Sequence, residues 1–406
     1  MTFLHVVPIE APCYAVRLGF ATGYNAATVV AKASVYPSDS YSVLTANGNA
    51  ALIDAGHDGP SYPVVPTGGA QGSRVYFDNE GQFNTTVNTS GTNRSFTIPA
   101  VVSNPNNTGQ GFAVQWSDLV PCSSVPRADG GLKHLLFIYV TISSPDMTVP
   151  VWPQTWVMAG NPLASRGGRY FWGGYAERWN ADFADNPTGT RFFPRGFMPL
   201  WAVQYLTANP GIQTVVTGDS QSEGPTDDGF TTPLMRAGWD LSTPGLPIEY
   251  ACMAWGGKPA AVYNAMLSNN MAALRPSIAA HQPLSRNDGW TNMHMLLAAS
   301  LAFADQMSVA YGTKTIWNMA GCECSAAKKS TSMAAFTDMR GRLLELAMNS
   351  GAAVIDTPSV IGNVANGAPW DYLPGYSNDA SHINYAGAEA LVPQARAILR
   401  KLIGIE

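Results

Sequence analysis

The sequence predicts two folded parts: an all-β sandwich of jelly-roll type over residues 1–150, and an α/β domain with a parallel sheet over residues 211–406. Three observations carry this prediction. The chain has 406 residues, which is enough for two or three domains. Short runs of alternating apolar and polar residues fill the first part. From about residue 212, strand-like and helix-like patterns alternate instead.

The first part offers strand candidates without helical periodicity. They lie at 14–20, 73–77, 95–102 and 135–142. Turn-forming clusters separate them, among them Ala46-Asn47-Gly48 and Asp58-Gly59-Pro60. Many short strands with frequent turns are typical of an antiparallel sandwich or jelly roll.

Residues 151–210 form a connecting region that is rich in aromatic residues and glycine. The stretch 169–175 reads Arg-Tyr-Phe-Trp-Gly-Gly-Tyr. We interpret this region as irregular structure packed between the two parts, or as a long surface loop that lines a site.

The second part alternates strands with helices. Strands are predicted at 214–217, 248–254, 277–282, 315–319 and 352–356, and helices at 291–310, 333–349 and 385–402. Apolar residues recur on one face of the helical segments, and Gly351 is placed to end the second of them. The alternation predicts a parallel sheet covered on both faces, with ligands bound at the carboxyl ends of its strands.

Composition excludes several classes of protein. Hydrophobic residues make up 46% of the chain, and charged residues only 13%, about half of the usual ~25%. This balance is unlike that of a disordered chain. The net charge is −5 and no stretch clusters Lys and Arg, which argues against binding to nucleic acid. No run of about 18 apolar residues occurs, so no transmembrane helix is expected.

The cysteines and the first residues of the chain bear on metals and on compartment. Five cysteines are too few for a disulfide framework. Cys322 and Cys324 have no matching Cys/His pair nearby, so loop or core thiols are favoured over a zinc site. We expect neither a metal nor an organic cofactor. The start lacks the pattern of a signal peptide. The sequence leaves the compartment open: an extracellular or periplasmic location is favoured if a signal was trimmed, and a cytoplasmic one otherwise.

Small polar or glycine-rich clusters follow the predicted strands, at 217–224, 255–257, 286–289 and 379–382. A nucleophilic serine needs a base, usually His, and donors for the oxyanion. A carboxylate must also orient the imidazole. Of the six histidines, only His382 follows the last strand in a polar loop, with Asp379 three residues before it. The spacing allows Asp379 to lie beside the His382 ring.

Four blocks, Gly218-Asp219-Ser220, Gly257, Asn287 and Asp379-x-x-His382, resemble those of the SGNH (GDSL-type) hydrolase family in the same chain order. Each block alone arises by chance, whereas four in order after the expected strands are specific. The resemblance covers about residues 212–404. It implies a flavodoxin-like three-layer α/β/α fold for this part of the chain.

The resemblance implies a role for each matched residue. Ser220 would be the nucleophile, and His382 the general base and then the general acid. Asp379 would orient His382. The backbone N–H groups of Ser220 and Gly257 and the side-chain amide of Asn287 would form the oxyanion hole.

This chain departs from the family at two places. The segment 284–288, Leu-Ser-Arg-Asn-Asp, lacks the glycine that is usual there, and Cys252 replaces the asparagine usual before the second block. Gly256 competes with Gly257 for the second-block role.

Each site residue also has a structural alternative. These are a helix N-cap for Ser220, a capping pair for Asp379 and His382, and simple turns for Gly257 and Asn287. Asp219 is predicted to bond loop amides rather than act as an acid. His294 is predicted to be a core or groove histidine.

Aromatic residues next to the blocks favour a carbohydrate substrate, because the C–H faces of sugar rings pack on aromatic planes. They are Trp255, Trp290, Trp370 and Tyr372, for which core packing is the equal alternative. No long apolar lid segment occurs, which favours a small acyl group. By analogy with SGNH domains that carry a β-sandwich, we predict an acetyl esterase acting on O-acetylated saccharides. An O-acyltransferase with the same triad and a non-catalytic carbohydrate-binding protein remain alternatives.

Overall fold

The computed structural model describes residues 2–20, 28–36, 73–98, 114–122, 124–126, 134–143, 170–173, 191–193, 200–223, 232–254, 257–283, 285–288, 293–319 and 329–405. The predicted turns at 46–48 and 58–60 lie outside these ranges. Within the described ranges, none of the helices combines the length and the apolar composition needed to cross a bilayer.

The strands of the first part form two antiparallel sheets. Their bounds are β1 Thr2–Ile9, β2 Ala15–Phe20, β3 Thr28–Tyr36, β4 Ser73–Arg74, β5 Phe96–Ile98, β6 Gln115–Trp116, β7 Val120–Pro121, β8 Val125–Pro126, β9 His134–Ser143, β10 Tyr170–Gly173, β11 Arg191–Phe193 and β12 Leu200–Leu206. The larger sheet has the order β11-β10-β1-β9-β3-β4, with β5 on β3 and β8 on β9. The smaller sheet has the order β12-β2-β6, with β7 also on β2.

Three of these strands correct the interpretation of residues 151–210 as irregular structure. Strand β10 pairs with β1, β11 pairs with β10, and β12 pairs with β2. The mixture of aromatic residues and glycine hid the strand pattern, because β10 and β12 form by pairing with strands more than 150 residues away. The segment boundaries 1–150, 151–210 and 211–406 stay predictions.

The two antiparallel sheets contribute to one cluster of buried side chains. Leu18 and Phe20 of β2 lie in the same cluster as Leu136, Ile138 and Val140 of β9. Burial of these apolar groups is the main stabilising contribution to this part of the chain. The sandwich or jelly-roll arrangement stays a prediction.

The second part contains a five-stranded parallel sheet. Its strands are β13 Ile212–Thr217, β14 Ile248–Cys252, β15 Ile278–His281, β16 Lys314–Met319 and β17 Ala353–Asp356. The order is β14-β13-β15-β16-β17, which is the flavodoxin-like order with its switch point between β13 and β15. All five predicted strands are therefore confirmed.

Among the described residues, seven α-helices and a short strand pair complete this part. They are α1 Ser220–Glu223, α2 Pro233–Leu241, α3 Ala260–Leu274, α4 Met293–Tyr311, α5 Lys329–Ser350, α6 Thr357–Ile361 and α7 Tyr385–Ile403, with β18 Gly362–Asn363 paired to β19 Ala368–Tyr372. The three predicted helices correspond to α4, α5 and α7. Single 3-10 turns lie at Arg286–Asp288 and Val364–Asn366.

Helices cover both faces of the parallel sheet. Val215 and Ala279 belong to a buried cluster with residues of α3 and α4. Val216 and Ala280, the next residues along the same two strands, belong to a different cluster with residues of α2 and α7. Because successive strand residues point to opposite faces, the sheet is the middle of three layers.

Helix α3 joins the two parts of the chain. Its residues Val262, Leu267, Met271 and Leu274 share a buried cluster with β2 and β9. The buried Asn270 accepts a hydrogen bond through Oδ1 from Val114 N at 2.9 Å. The two parts therefore share one continuous core at α3.

His281, the last residue of β15, is a fully buried histidine. Neither of its ring nitrogens has a hydrogen-bond partner within the described ranges. The rings of Tyr263 and Phe303 lie 6.4 and 5.3 Å away, centroid to centroid. Burial lowers the pKa of His281 to about 3.

We expect His281 to make the free energy of unfolding depend on pH. The reference pKa of histidine is about 6.5, so the unfolded chain binds the proton at a higher pH than the folded chain does. The stabilisation from neutral His281 is therefore fully present above about pH 6.5. Below that pH, the free energy of unfolding falls by roughly 1.4 kcal/mol per pH unit down to about pH 3. Urea unfolding at pH 7.5 and 5.0 measures this slope. His281→Leu should flatten it, and an unchanged slope in that variant would contradict the expectation.

Candidate active site

Ser220, His382 and Asp379 form one chain of hydrogen bonds. Ser220 is the first residue of α1, directly beyond β13, and the other two lie in the loop before α7. His382 Nε2 is 3.0 Å from Ser220 Oγ, and His382 Nδ1 is 2.6 Å from Asp379 Oδ2. The structure therefore brings together three residues from two sequence blocks that lie about 160 residues apart.

The turn that carries His382 is closed by the Asp379 carboxylate. Asp379 Oδ1 accepts hydrogen bonds from Ser381 N at 2.8 Å and His382 N at 2.7 Å. Ala380, between Asp379 and Ser381, has a left-handed φ of 58°. This conformation is unfavourable for a residue other than glycine, so surrounding contacts must stabilise it. These bonds leave Asp379 Oδ2 facing the imidazole.

The Asp379 carboxyl is held in its ionised form. Burial raises its pKa, but hydrogen bonds from the His382 ring and from the backbone N–H groups of His382 and Ser381 outweigh this effect. The resulting pKa of Asp379 is about 2. The carboxylate is therefore charged at neutral pH, and its Oδ2 faces His382 Nδ1. Its role in orienting the ring stays a prediction.

Asp219 braces the turn before Ser220 from the interior. It is fully buried and accepts hydrogen bonds from Gln221 N at 2.9 Å, Ser285 Oγ at 2.5 Å and Asn287 Nδ2 at 3.1 Å. The prediction that this carboxylate bonds loop amides is confirmed.

Gln282 braces the same turn from the end of β15. Its Oε1 accepts hydrogen bonds from Asp219 N at 3.2 Å and Ser222 Oγ at 2.7 Å. A Cβ atom at Gly218 would lie 2.2 Å from Ser222 Oγ and 2.5 Å from Gln282 Oε1. Glycine is therefore required at position 218 for this close packing.

The three candidate oxyanion donors lie on separate segments. Gly257 is exposed with a left-handed φ of 73°. Asn287 lies in the 3-10 turn, and its Nδ2 is 3.1 Å from both Asp219 Oδ2 and Ser285 Oγ and 3.3 Å from Lys258 O. The second and third blocks thus meet beside the Ser220 turn. The oxyanion roles of Ser220, Gly257 and Asn287 stay predictions.

Asp288 connects the third block to α3. Its Oδ2 accepts a hydrogen bond from Ala260 N, at the start of that helix, at 3.1 Å. Burial raises the pKa of Asp288. This contact fixes the distance between the Asn287 turn and the segment that holds Gly257.

Among the aromatic candidates, the structure describes one side chain. The Tyr372 hydroxyl lies 3.3 Å from Gln221 Oε1 and 3.4 Å from Ser381 O. Trp370 lies in β19, and Trp255 and Trp290 lie outside the described residues, as do Gly256, Cys322 and Cys324. A substrate-binding role for Trp255, Trp290, Trp370 and Tyr372 stays a prediction.

Some expectations need correction or addition. His294 is exposed on α4, so the core alternative of its prediction is wrong, whereas the groove alternative stays a prediction. Sequence reasoning missed Gln221 and Gln282, whose contacts reach across 160 and 60 residues. In the sequence, the one feature that could have pointed to Gln221 is its position directly after the candidate nucleophile. In the described part of the chain, no three His, Cys, Asp or Glu side chains converge as metal ligands would.

Comparisons with known proteins give similarity at the level of structure. No family model and no curated protein matches the sequence. A member of the lipolytic protein G-D-S-L family from Veillonella parvula is 12% identical over 47% of this chain and 99% of its own, with a TM-score of 0.38. A GDSL-like lipase from Bacteroides thetaiotaomicron is 14% identical over 47% of this chain and 87% of its own, with a TM-score of 0.35.

A third solved structure is a catalytic mutant of an acetylxylan esterase from Geobacillus stearothermophilus. It is 13% identical over 50% of this chain and 98% of its own, with a TM-score of 0.37. Over about half of its length, the chain is similar to solved GDSL-type lipolytic proteins and to an acetylxylan esterase. Its four sequence blocks resemble the same GDSL type.

Proposed function

We propose that this protein is a serine ester hydrolase in which Ser220, His382 and Asp379 act as a catalytic triad. One observation carries the proposal: the continuous path from Ser220 Oγ through the His382 ring to Asp379, with contacts of 3.0 and 2.6 Å. These are the distances that a nucleophile and its base, and the base and its orienting carboxylate, require.

The proposed first half-reaction forms an acyl-enzyme. His382 Nε2 takes the proton from Ser220 Oγ as that oxygen attacks the ester carbonyl carbon. The ionised Asp379 stabilises the imidazolium that results. His382 then gives the proton to the leaving alcohol oxygen as the C–O bond breaks. In the second half-reaction, water attacks the acyl-enzyme with His382 as its base, and the carboxylic acid is released.

The oxyanion of each tetrahedral intermediate needs fixed donors. We assign the backbone N–H groups of Ser220 and Gly257 and the Asn287 side-chain amide to this role. An asparagine amide carries two hydrogens, so one can stay on Asp219 Oδ2 while the other turns from the Lys258 carbonyl oxygen, 3.3 Å away, to the oxyanion. The Asp219 contact at 3.1 Å would then fix the direction of the second N–H bond.

We further propose a short acyl group, acetyl above all, on a carbohydrate. Aromatic residues lie near three of the four blocks in sequence: Trp255 precedes Gly257, Trp290 follows Asn287, and Trp370 and Tyr372 precede Asp379. Tyr372, the one whose side chain is described, lies against the Ser381 carbonyl next to His382. An aromatic plane beside a triad suits the apolar face of a sugar ring, and its placement supports a saccharide as the alcohol part of the ester.

The proposal is tested with the purified full chain and p-nitrophenyl esters of increasing acyl length. We expect release of p-nitrophenol, fastest for acetate and falling with chain length. Acetate release from acetylated polysaccharides then tests whether the alcohol part of the ester is a saccharide. The deacetylated polymers serve as controls. No hydrolysis of any ester would overturn the proposal, and binding to the polysaccharide without hydrolysis would favour the non-catalytic alternative. Transfer of most acetyl groups to an added sugar, rather than to water, would favour an acyltransferase.

A further inference from the structure

Gln221, the residue after the proposed nucleophile, makes side-chain contacts that the reaction itself does not use. It is 8% exposed. Its Nε2 donates a hydrogen bond to the Ser381 carbonyl oxygen at 2.5 Å. Its Oε1 lies 3.3 Å from the Tyr372 hydroxyl, the donor of that pair. The carboxamide therefore spans from the Ser220 helix to the loop that carries His382.

We propose that Gln221 is a positioning residue, which holds His382 at working distance from Ser220 through the Ser381 carbonyl. The inference rests on the function proposed above and names a residue to which the triad alone gives no role.

The triad needs a contact of this kind because its halves lie far apart in sequence. Ser220 and His382 are 162 residues apart and stand on different elements. The contact between them loses and regains its proton in each half-reaction, so it cannot by itself fix their separation. The Gln221–Ser381 hydrogen bond carries no transferred proton and stays unchanged through the cycle.

The surroundings of the loop also favour a hydrogen-bonded tie. On the outer side, the Asp379 side chain is 49% exposed, so water rather than protein contacts much of it. Because packing holds this side of the loop so little, hydrogen bonds such as that from Gln221 Nε2 to Ser381 O must fix its position.

Tyr372 supports the direction of the carboxamide. The Ser381 carbonyl oxygen can only accept, so it selects the orientation in which Gln221 Nε2 donates to it. The Tyr372 hydroxyl donates to Gln221 Oε1 and stabilises that orientation from the other end of the amide. Tyr372 therefore acts mainly through Gln221, beside its own longer contact of 3.4 Å with Ser381 O.

The test uses Gln221→Met, which keeps the length of the side chain but has no N–H donor. We expect kcat on p-nitrophenyl acetate to fall on the order of 10-fold to 100-fold, because a small displacement of a catalytic group lowers the rate by such factors. KM should change by less than about twofold, because the group acts on the base and not on the substrate. The rate of Ser220 labelling by a fluorophosphonate should fall with kcat.

Tyr372→Phe is the milder second variant, and Gln394→Met is the matched control. Tyr372→Phe should lower kcat a few-fold alone and by less than that in the Gln221→Met background, since most of its effect passes through Gln221. Gln394 is a glutamine of α7 that accepts a hydrogen bond from Asp356 N at 3.2 Å; its variant should keep kcat. Thermal unfolding of each variant measures stability separately.

The outcomes separate the two proposals. Full kcat and labelling rate in Gln221→Met, or a loss of thermal stability alone, would overturn the positioning role and leave the triad standing. Additive losses in Gln221→Met and Tyr372→Phe would overturn their common linkage. Unchanged activity in Ser220→Ala would instead overturn the hydrolase proposal itself, whatever Gln221→Met does.

Discussion

Ser220→Ala is expected to lower kcat for p-nitrophenyl acetate by a factor on the order of 10³ to 10⁶, while the protein stays folded. The substitution removes one oxygen atom, the one that lies 3.0 Å from His382 Nε2. Without it no acyl-enzyme forms, and the activity that remains is direct attack by water. Stopped assays with long incubation times measure such low rates.

Ser350→Ala provides the matched control for this variant. Ser350 ends α5 and bonds the Leu346 carbonyl oxygen at 2.7 Å, on the surface and outside the proposed site. It should keep wild-type kcat and react with a fluorophosphonate, whereas Ser220→Ala should not react. If Ser220→Ala keeps more than about a tenth of the wild-type rate, Ser220 is not the nucleophile.

Asp379→Asn is expected to lower kcat on the order of 10² to 10⁴. An asparagine there can still accept the Ser381 and His382 backbone bonds, so the turn should persist. Its NH₂ group, however, would face His382 Nδ1 and favour the tautomer with the proton on Nε2. That tautomer cannot take the Ser220 proton. The lost negative charge would also leave the imidazolium without its partner.

Asp338→Asn is the control for charge removal. Asp338 pairs with Arg342 on the exposed surface of α5 at 2.9 Å, and such a pair contributes little to stability. Its variant should match the wild type in kcat and in thermal unfolding. Equal activity of Asp379→Asn and Asp338→Asn would refute an orienting role for Asp379 and leave a serine–histidine pair as the remaining interpretation.

The sequence predicts the parallel sheet and the meeting of the triad for one physical reason. Strands β13 to β17 carry local apolar patterns, and in a parallel sheet all carboxyl ends meet at one edge. Ser220 lies just beyond the end of β13, and His382 lies in the polar loop between the last strand of the sheet and the final helix. The two residues are therefore expected at the same edge of the sheet. Local pattern and topology together were sufficient for this part of the molecule.

Strand pairs and side-chain contacts between residues far apart in the sequence could not be predicted from local sequence patterns. The pairing of β12 with β2, whose residues Leu206 and Ala15 lie opposite each other, has no local signal. The same holds for Gln221, whose partner Ser381 is 160 residues away. A glutamine near a helix start has many solvent-exposed conformations, and only the fold selects the buried one.

The core shared at α3 limits how this chain can have been assembled or can be recombined. A catalytic domain whose surface exposes no hydrophobic interface can be joined to a new domain by a linker alone. Here α3 presents Met271 and Leu274 to a buried cluster that includes Leu18 and Leu136. Exchange of the N-terminal part would therefore expose a hydrophobic patch unless the new partner supplied a complementary face. The two parts should be inherited together as one unit, with substitutions on α3 matched by substitutions on β2 and β9.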